Sequence, residues 1–235
     1  RVERTAAFFA ERRAGLQAMA PWTDTPNVVL LTPGPLSETY FEHAYLARQF
    51  GLPLVEGGDL TVRDRSVFLK TLDGLQRVDV IVRRVDDTYC DPLELRGDSF
   101  LGVPGLVEAA RAGRVAISNA LGSGAVESPA ILAFLPKLAR HLLGEELHIP
   151  NVATWWCGQE AAREATLRGL ETRVVKRSFV GHAEPSFGAG LSAEAREKLA
   201  ARIRANPENY VGQERVALST LPLWTGERME PRPLI

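Results

Sequence analysis

The residue that first suggests chemistry is a lysine at the end of a β-branched run. In ETRVVKRSFVGHAEPSFGAG, residues 171–190, Lys176 follows Val174 and Val175 and precedes a loop with three glycines. Lysine occurs only four times in the chain, whereas arginine is common. A strand-end lysine can simply extend its ammonium group to solvent. It can also act as a point-charge ligand for a phosphate group under a covering loop, and both interpretations stay open here.

A charged cluster follows an apolar run in IVRRVDDTYCDP, residues 81–92. Arg83 and Arg84 end the run, and Asp86 and Asp87 come directly after it. Spacing alone is equally compatible with a solvated, internally paired cluster. Ligands of open α/β sheets bind at the carboxyl ends of strands, where an arginine can hold a carboxylate or phosphate through two hydrogen bonds. The cluster is therefore a candidate site.

The segment NALGSGAVES, residues 119–128, lies between a predicted strand and a predicted helix. Its Gly-Ser-Gly resembles part of a dinucleotide-binding loop, but Glu127 stands where a third small residue is required. A tight turn, or a loop facing an active site, is the favoured interpretation. Glu42 and His43, near the start of another predicted helix, are interpreted as surface residues in preference to catalysts.

The elements that must position these residues alternate between strands and helices over residues 27–120. NVVLLTPGP predicts a buried strand and turn, and SETYFEHAYLARQFG predicts a helix with Ser37 at its start and Gly51 after its end. VDVIV and RVAISNA predict further strands, with a helix in VPGLVEAARAG between them. Such alternation predicts an α/β layer with a mainly parallel sheet, preceded by a lead-in helix over residues 1–26.

The second part of the chain has a different character. SPAILAFLPKLARHLLG begins with Ser128 as a cap, but Pro136 interrupts its periodicity, which predicts a kink or two abutting helices. From Asn151 onward a short helix near 159–169, the strand TRVVK, the helix SAEAREKLAARIRA and the strand YVGQERVALST predict an α+β unit. We therefore expect domains over 27–150 and 151–235, with a soft boundary near 148–151.

Composition narrows the class of protein. The formal net charge of −1 disfavours nucleic-acid partners, and no apolar run approaches the roughly 20 residues that span a bilayer. The two cysteines form neither a metal pair nor a disulfide framework, and the four histidines lie far apart. We expect a soluble, cytoplasmic protein without a membrane partner, and the first and last residues suggest a piece of a longer chain.

Four stretches together resemble one known family, the circularly permuted type 2 ATP-grasp proteins related to glutathionylspermidine synthase. They cover most of the chain: LTPGPLSETYFEHAYLARQFGLPLVEGGDL, VDVIVRRVDDTYCDPLELR, SFLGVPGLVEAARAGRVAISNALGSGAVESPAILAFLP and NYVGQERVALST. The resemblance implies a circularly permuted ATP-grasp fold of α/β and α+β parts, with a Rossmann-like pre-ATP-grasp domain over 27–150 and a partial nucleotide-binding domain over 151–235. It also implies ATP and Mg²⁺ as cofactors, and a bacterial ligase that activates a carboxylate as an acyl phosphate for capture by an amine.

The resemblance assigns roles residue by residue. Lys176 matches the family lysine that contacts the ATP phosphates. The adenine hinge of the family corresponds to Gln213, Glu214 and Val216. Its RRxDD segment corresponds to Arg83, Arg84, Asp86 and Asp87, and its NAxGxG segment corresponds to Asn119, Ser123 and Gly124. We expect the RRxDD and NAxGxG segments to face the catalytic cleft. The resemblance implies that the metal-binding carboxylates lie upstream of Arg1.

Two departures from the family pattern leave the activity open. The loop after Lys176 spaces its glycines and contains Phe179 and Phe187, where relatives have a glycine-dense run. Some relatives also carry a second lysine where this chain reads VESPA. The leading hypothesis is a ligase fragment acting on a small-molecule, peptide or polyamine-like substrate. The alternative is a degenerate ATP-grasp scaffold that binds without catalysis.

Overall fold

The computed structural model describes residues 5–179 and 184–233, and the chain divides into two compact units, Arg1–Gly124 and Ala125–Ile235. The α-helices of the first unit are α1 (Ala6–Ala18), α2 (Tyr40–Phe50) and α3 (Leu106–Arg111). Its strands are β1 (Val28–Leu31), β2 (Leu54–Val55), β3 (Leu60–Arg63), β4 (Ser66–Thr71), β5 (Gly74–Val78), β6 (Val80–Arg83) and β7 (Ala116–Ser118). No helix in the described ranges is both long and apolar enough to cross a membrane.

The predicted parallel sheet is present, with strand order β2-β1-β6-β7. Alternate residues of β1 enter different apolar clusters: Val28 and Leu30 pack with residues of α1 and α2, whereas Val29 and Leu31 pack with α3 and the β3-β4-β5 antiparallel sheet. A parallel strand covered on both faces needs apolar residues at every position, which accounts for the unbroken VVLL. The α2 helix ends at Gly51 as predicted, in the left-handed conformation at φ 64°.

The second unit contains α4 (Leu135–Leu143), β8 (Thr154–Trp156), α5 (Glu160–Arg168), β9 (Arg173–Arg177), β10 (Ser186–Phe187), α6 (Ala193–Ala205), β11 (Tyr210–Glu214), β12 (Thr220–Trp224) and β13 (Met229–Pro233). An antiparallel sheet has the order β10-β9-β11-β8, and β12 pairs with β13 as a hairpin. The α6 helix begins as the sequence predicts, because the Ser192 side chain accepts a hydrogen bond from the Ala195 N–H at 3.2 Å.

The prediction of abutting helices around Pro136 is confirmed. A 3-10 helix over Pro129–Ala133 starts at the Ser128 cap and is followed directly by α4, with Pro136 in the first turn of α4 where a missing N–H costs no hydrogen bond. The predicted strand over residues 210–220 is wrong in extent. It ends at Glu214, residues 215–219 have no regular structure, and β12 begins only at Thr220.

The division between the units falls after Gly124 and not near residue 150. The helical segment 129–143 packs on the antiparallel sheet, where Phe134 and Trp156 meet edge to face at 5.9 Å and Asn151 donates to the Leu132 carbonyl at 2.6 Å. These contacts attach the segment to the residues that follow it in sequence. The assignment of separate pre-ATP-grasp and nucleotide-binding domains stays a prediction.

Candidate functional site

The carboxyl ends of β1, β6 and β7 meet at one edge of the parallel sheet. Leu31 lies opposite Arg83 across the β1–β6 pair, and Val82 lies opposite Ser118 across the β6–β7 pair. The Arg84 N–H donates to the Leu31 carbonyl at 2.9 Å. The segments 83–87 and 119–124, both singled out from sequence, therefore leave the sheet side by side at the edge where open α/β sheets bind ligands.

Arg83 uses its donors within the protein. Its Nε donates to the Asn119 carbonyl at 3.0 Å, and its Nη1 donates to the Val85 carbonyl at 2.6 Å. Its Nη2 lies 3.4 Å from both the Ala120 carbonyl and the Ser123 hydroxyl, and only 10% of the side chain is exposed. A guanidinium group has five N–H donors in a fixed plane, and here the protein occupies most of them. Arg83 thus ties the two loops together.

Asp87 contacts both Arg83 and the glycine turn at residues 122–124. Its Oδ1 lies 2.7 Å from Arg83 Nη2, an ionic contact without hydrogen-bond alignment, and its Oδ2 accepts the Gly122 N–H at 3.2 Å. Gly122 has φ 85°, and a Cβ on Gly124 would lie 3.4 Å from Asp87 Oδ2. The Gly-Ser-Gly sequence therefore forms a tight turn that packs against the Asp87 carboxylate. Asp86, one residue earlier, is exposed.

The interpretation of His43 as a surface residue is wrong. The residue is only 3% exposed, with Nδ1 2.9 Å from the Thr32 hydroxyl and Nε2 3.1 Å from the Thr39 hydroxyl. Burial lowers the pKa of His43, the positive charge of Arg84 lowers it further, and Glu42 partly offsets both. A neutral imidazole donates one hydrogen bond and accepts one, which suits two hydroxyl partners. His43 therefore fixes the start of α2 against the end of β1.

Arg84 differs from its neighbour Arg83 in being exposed. Within the described ranges it has no carboxylate at ion-pair distance and no side-chain hydrogen bond. Its charge nevertheless reaches His43, whose pKa it lowers. Of the two arginines singled out from sequence, Arg84 is the one whose guanidinium group is available to a ligand.

Lys176 and Gln213 share one face of the antiparallel sheet in the second unit. Lys176 pairs with Val211 and Val174 pairs with Gln213 across β9 and β11, and side chains of directly paired residues lie on the same face. Because successive side chains alternate between faces, Lys176, Val174 and Gln213 lie together. The structure thus brings together two predicted nucleotide-binding residues that are far apart in sequence.

The predicted hinge consists of the end of β11 and the residues after it. Gln213 is buried and its side-chain amide donates to the Thr154 hydroxyl at 3.1 Å. Glu214 is exposed, and its N–H already donates to the Ala153 carbonyl at 2.9 Å. Val216 follows the strand, is 57% exposed, and makes no backbone hydrogen bond to another described residue. Among the described residues, neither the Arg215 N–H nor the Val216 N–H donates to a backbone carbonyl, so both are open donors after the end of β11.

The described parts of the loop over residues 177–190 contain regular structure. Ser186 and Phe187 form β10, which pairs with Val175 and Val174, and a 3-10 turn covers Gly188–Gly190. A Cβ on Gly188 would lie 1.7 Å from the Leu170 carbonyl oxygen. Gly188 is therefore a packing glycine. The middle of the predicted covering loop, residues 180–183, lies outside the described residues.

The described residues supply neither a metal cluster nor an activated thiol. Within residues 5–179 and 184–233, no three histidine, cysteine, aspartate or glutamate side chains are grouped so that they could hold a metal ion. Burial raises the pKa of Cys90 to about 11 and also raises the pKa of Cys157, which makes both thiols poor nucleophiles.

Sequence reasoning missed two contributors to these sites. Thr32 is buried at the end of β1 and orients His43, although a threonine before a Pro-Gly turn carries no distinctive signal. Arg12 lies on α1, which the sequence indicated only as a lead-in helix, yet it lines a cavity together with Arg84. Its position on the helix gave no reason to pair it with the sheet edge.

Comparison with known proteins adds the family. The sequence profile described as "Circularly permuted ATP-grasp type 2" matches residues 1–235. "Uncharacterized protein sll0335" of Synechocystis sp. is 43% identical over 218 residues, which is 92% of this chain and 45% of the relative. "Uncharacterized protein Rv2567" of Mycobacterium tuberculosis is 44% identical over 213 residues, 91% of this chain and 24% of the relative. The chain thus spans less than half the length of these relatives.

The chain also shows a distant structural similarity to a solved protein. D-alanyl-alanine synthetase A from Vibrio cholerae aligns over 89% of this chain and 66% of its own, with 11% sequence identity and a TM-score of 0.38.

Proposed function

The chain belongs to the circularly permuted type 2 ATP-grasp family, and from this premise we propose that it is one part of a longer ATP-dependent carboxylate–amine ligase. The reaction would activate a carboxylate as an acyl phosphate and transfer the acyl group to an amine of a small-molecule, peptide or polyamine-like substrate. The observation that carries the proposal is the shared sheet face of Lys176 and Gln213, followed in sequence by Val216, whose backbone makes no hydrogen bond to the backbone of another described residue.

In this proposal the second unit binds the nucleotide. Lys176 shares a sheet face with Gln213, and its ammonium group would neutralise phosphate charge as a point-charge ligand. The Val216 N–H would donate to the adenine edge, and a carbonyl of the Gln213–Glu214 segment would accept from it. ATP, when bound, supplies the phosphoryl group that turns the carboxylate into a reactive mixed anhydride. Catalysis of such transfers rests mainly on positioning and charge neutralisation, which these residue types provide.

The first unit would hold the acid substrate. Arg84 has the available guanidinium group, while Arg83 and Asp87 keep Asn119, Ser123 and Gly124 in place. Asp86 is exposed beside Arg84 in sequence and would orient an amine or the arginine itself.

Magnesium is the expected metal of the family, and within residues 5–179 and 184–233 no three histidine, cysteine, aspartate or glutamate side chains are grouped to hold it. Mg²⁺ usually binds through one or two carboxylates together with substrate phosphates and water. We propose that these carboxylates come from a part of the longer protein outside this chain, which accords with the greater length of the relatives. No step of the mechanism above depends on their position.

A second candidate function is a scaffold that binds a nucleotide or peptide without catalysis. The loop after Lys176 favours it: Phe179 and Phe187 are 64% and 54% exposed, and Gly188 is required for packing against Leu170. Glycines used in packing do not contribute close backbone approach to phosphates.

ADP release by the longer protein, measured with and without added amino compounds, separates the two functions. A ligase releases ADP in an amine-dependent manner, whereas a scaffold binds ATP and releases none.

Calorimetric titration with ATP tests the assignment of Lys176. One charge-assisted hydrogen bond contributes about 1.5–3 kcal/mol, so Lys176→Ala should weaken ATP binding by about tenfold to about 150-fold. Lys198→Ala is the matched control, because Lys198 is exposed on α6 and its ion-pair partner among the described residues is Glu194. The 235-residue chain alone should bind ATP weakly. Equal affinities of the two lysine variants would remove Lys176 from the site, and tight magnesium-dependent binding by the 235-residue chain would show that it holds a complete metal site.

A further inference from the structure

A cavity of about 110 Å³ lies at the carboxyl edge of the parallel sheet in the first unit. Its polar wall consists of one arginine of α1, two arginines at the end of β6 and two residues at the end of β7, which are Arg12, Arg83, Arg84, Ser118 and Asn119. Its apolar wall contains aromatic and leucine side chains of α1 and α2, which are Phe8, Leu46 and Phe50. A water molecule occupies about 30 Å³ in the liquid, so the cavity can hold one small group and not a whole nucleotide.

The charges around this cavity are unbalanced. Arg83 is engaged by Asp87 and by backbone carbonyls, so its charge is largely compensated. Arg12 and Arg84 have no ion-pair partner within residues 5–179 and 184–233, and the lining residues include no carboxylate. Burial and Arg84 lower the pKa of His43 nearby, which disfavours a positive charge on that side chain. Two arginines facing one small cavity form a site for an oxyanion, because guanidinium groups donate to both oxygens of such a group.

The apolar wall favours a particular oxyanion. Free phosphate is hydrated on all sides and gains nothing from contact with Phe8 and Phe50. A carboxylate on a short carbon stem can place its oxygens against Arg12 and Arg84 and its carbon atoms against the aromatic rings.

We infer that this cavity binds the carboxylate of an aliphatic acid, with Arg12 of the lead-in helix as a second anchoring residue beside Arg84. The inference deepens the proposed function, on which it rests for the identity of the acid as a substrate. The binding site itself is a property of the first unit and needs no nucleotide.

The test uses sodium butanoate as the probe and the ¹H–¹⁵N signals of the 235-residue chain, including the arginine Nε–H groups, as the readout. Ionic strength is kept constant and no nucleotide is added. We expect saturable binding with a dissociation constant on the order of millimolar, because two charge-assisted contacts act on a small ligand. Butanamide, which has the same shape without the charge, should bind at least tenfold more weakly.

Variants then locate the site. Arg12→Gln and Arg84→Gln should each weaken butanoate binding at least fivefold. Arg13→Gln is the matched control: it removes the same charge from the next residue of α1, but Arg13 does not line the cavity. Its affinity should stay within twofold of the unmodified chain.

Three results would overturn the inference: no saturation by butanoate, equal losses in the Arg12 and Arg13 variants, or inorganic phosphate binding more tightly than butanoate. The last result would assign the cavity to a phosphoryl group. Because the titration contains no ATP, failure of the nucleotide assignment at Lys176 would leave its outcome unchanged, and the two failures can be told apart.

Discussion

Replacing Arg83 by alanine should destabilise the first unit far more than replacing its neighbour Arg84. The Arg83 side chain is 10% exposed and contacts the Asn119 carbonyl, the Val85 carbonyl and Asp87 at 3.0, 2.6 and 2.7 Å. Its removal leaves two carbonyls without their donor and the Asp87 carboxylate without its counter-charge. Removing one partner from such an arrangement costs about 3–5 kcal/mol. Arg84→Ala removes an exposed side chain and should stay within about 0.5 kcal/mol.

Urea unfolding measures this difference. With a denaturant slope of about 1–3 kcal/mol/M, a loss of about 3–5 kcal/mol should lower the Arg83→Ala midpoint by about 1–5 M. Because two compact units can unfold separately, hydrogen-exchange mass spectrometry provides the local readout. Peptides covering residues 119–124 should exchange faster, since the Gly122 N–H donates to Asp87, whose position depends on Arg83.

A double-mutant cycle with Asp87→Asn isolates the contact between the two side chains. Asparagine keeps an oxygen that can accept the Gly122 N–H but removes the charge, and the coupling energy should be about 1–3 kcal/mol. The reasoning is refuted if Arg83→Ala unfolds at the same urea concentration as Arg84→Ala, or if the exchange of residues 119–124 does not change. Either outcome would return Arg83 to the role of a free ligand.

Two further predictions concern His43 and Gly188. Since the pKa of His43 is lowered in the folded state, mainly by burial, the unfolded chain binds the proton more readily. The stability of the first unit should therefore fall as the pH drops below about 6.5. His43→Gln should flatten this dependence in urea midpoints measured between about pH 7.5 and 5. Parallel pH profiles for the two proteins would contradict this. Gly188→Ala should lower the free energy of unfolding by about 1–3 kcal/mol, because its Cβ would meet the Leu170 carbonyl oxygen at 1.7 Å. The control Gly190→Ala, whose Cβ would have nothing within 4 Å, should change it by less than about 0.5 kcal/mol. Equal urea midpoints for the two variants would count against the packing role.

Local signals in the sequence were sufficient for most of the elements. The unbroken VVLL predicted a strand buried on both faces, Gly51 predicted the end of α2, and Ser128 with Pro136 predicted abutting helices. These features depend on residues within a few positions of one another, through side-chain periodicity, capping and the missing N–H of proline. The four family stretches likewise indicated the ATP-grasp family, which the match over the whole chain confirms.

The side-chain environments were decided by tertiary structure. Arg83 and Arg84 are adjacent and identical in type, yet one is enclosed by a loop 36 positions away in sequence and the other is exposed. His43 is buried because Thr32 ends the neighbouring strand, and β11 stops at Glu214 where its pairing with β9 stops. Lys176 and Gln213 share a face only through the register of that pair. Pairing between distant segments sets which side chains meet, and because strand side chains alternate, a register shift of one residue would place each on the other face.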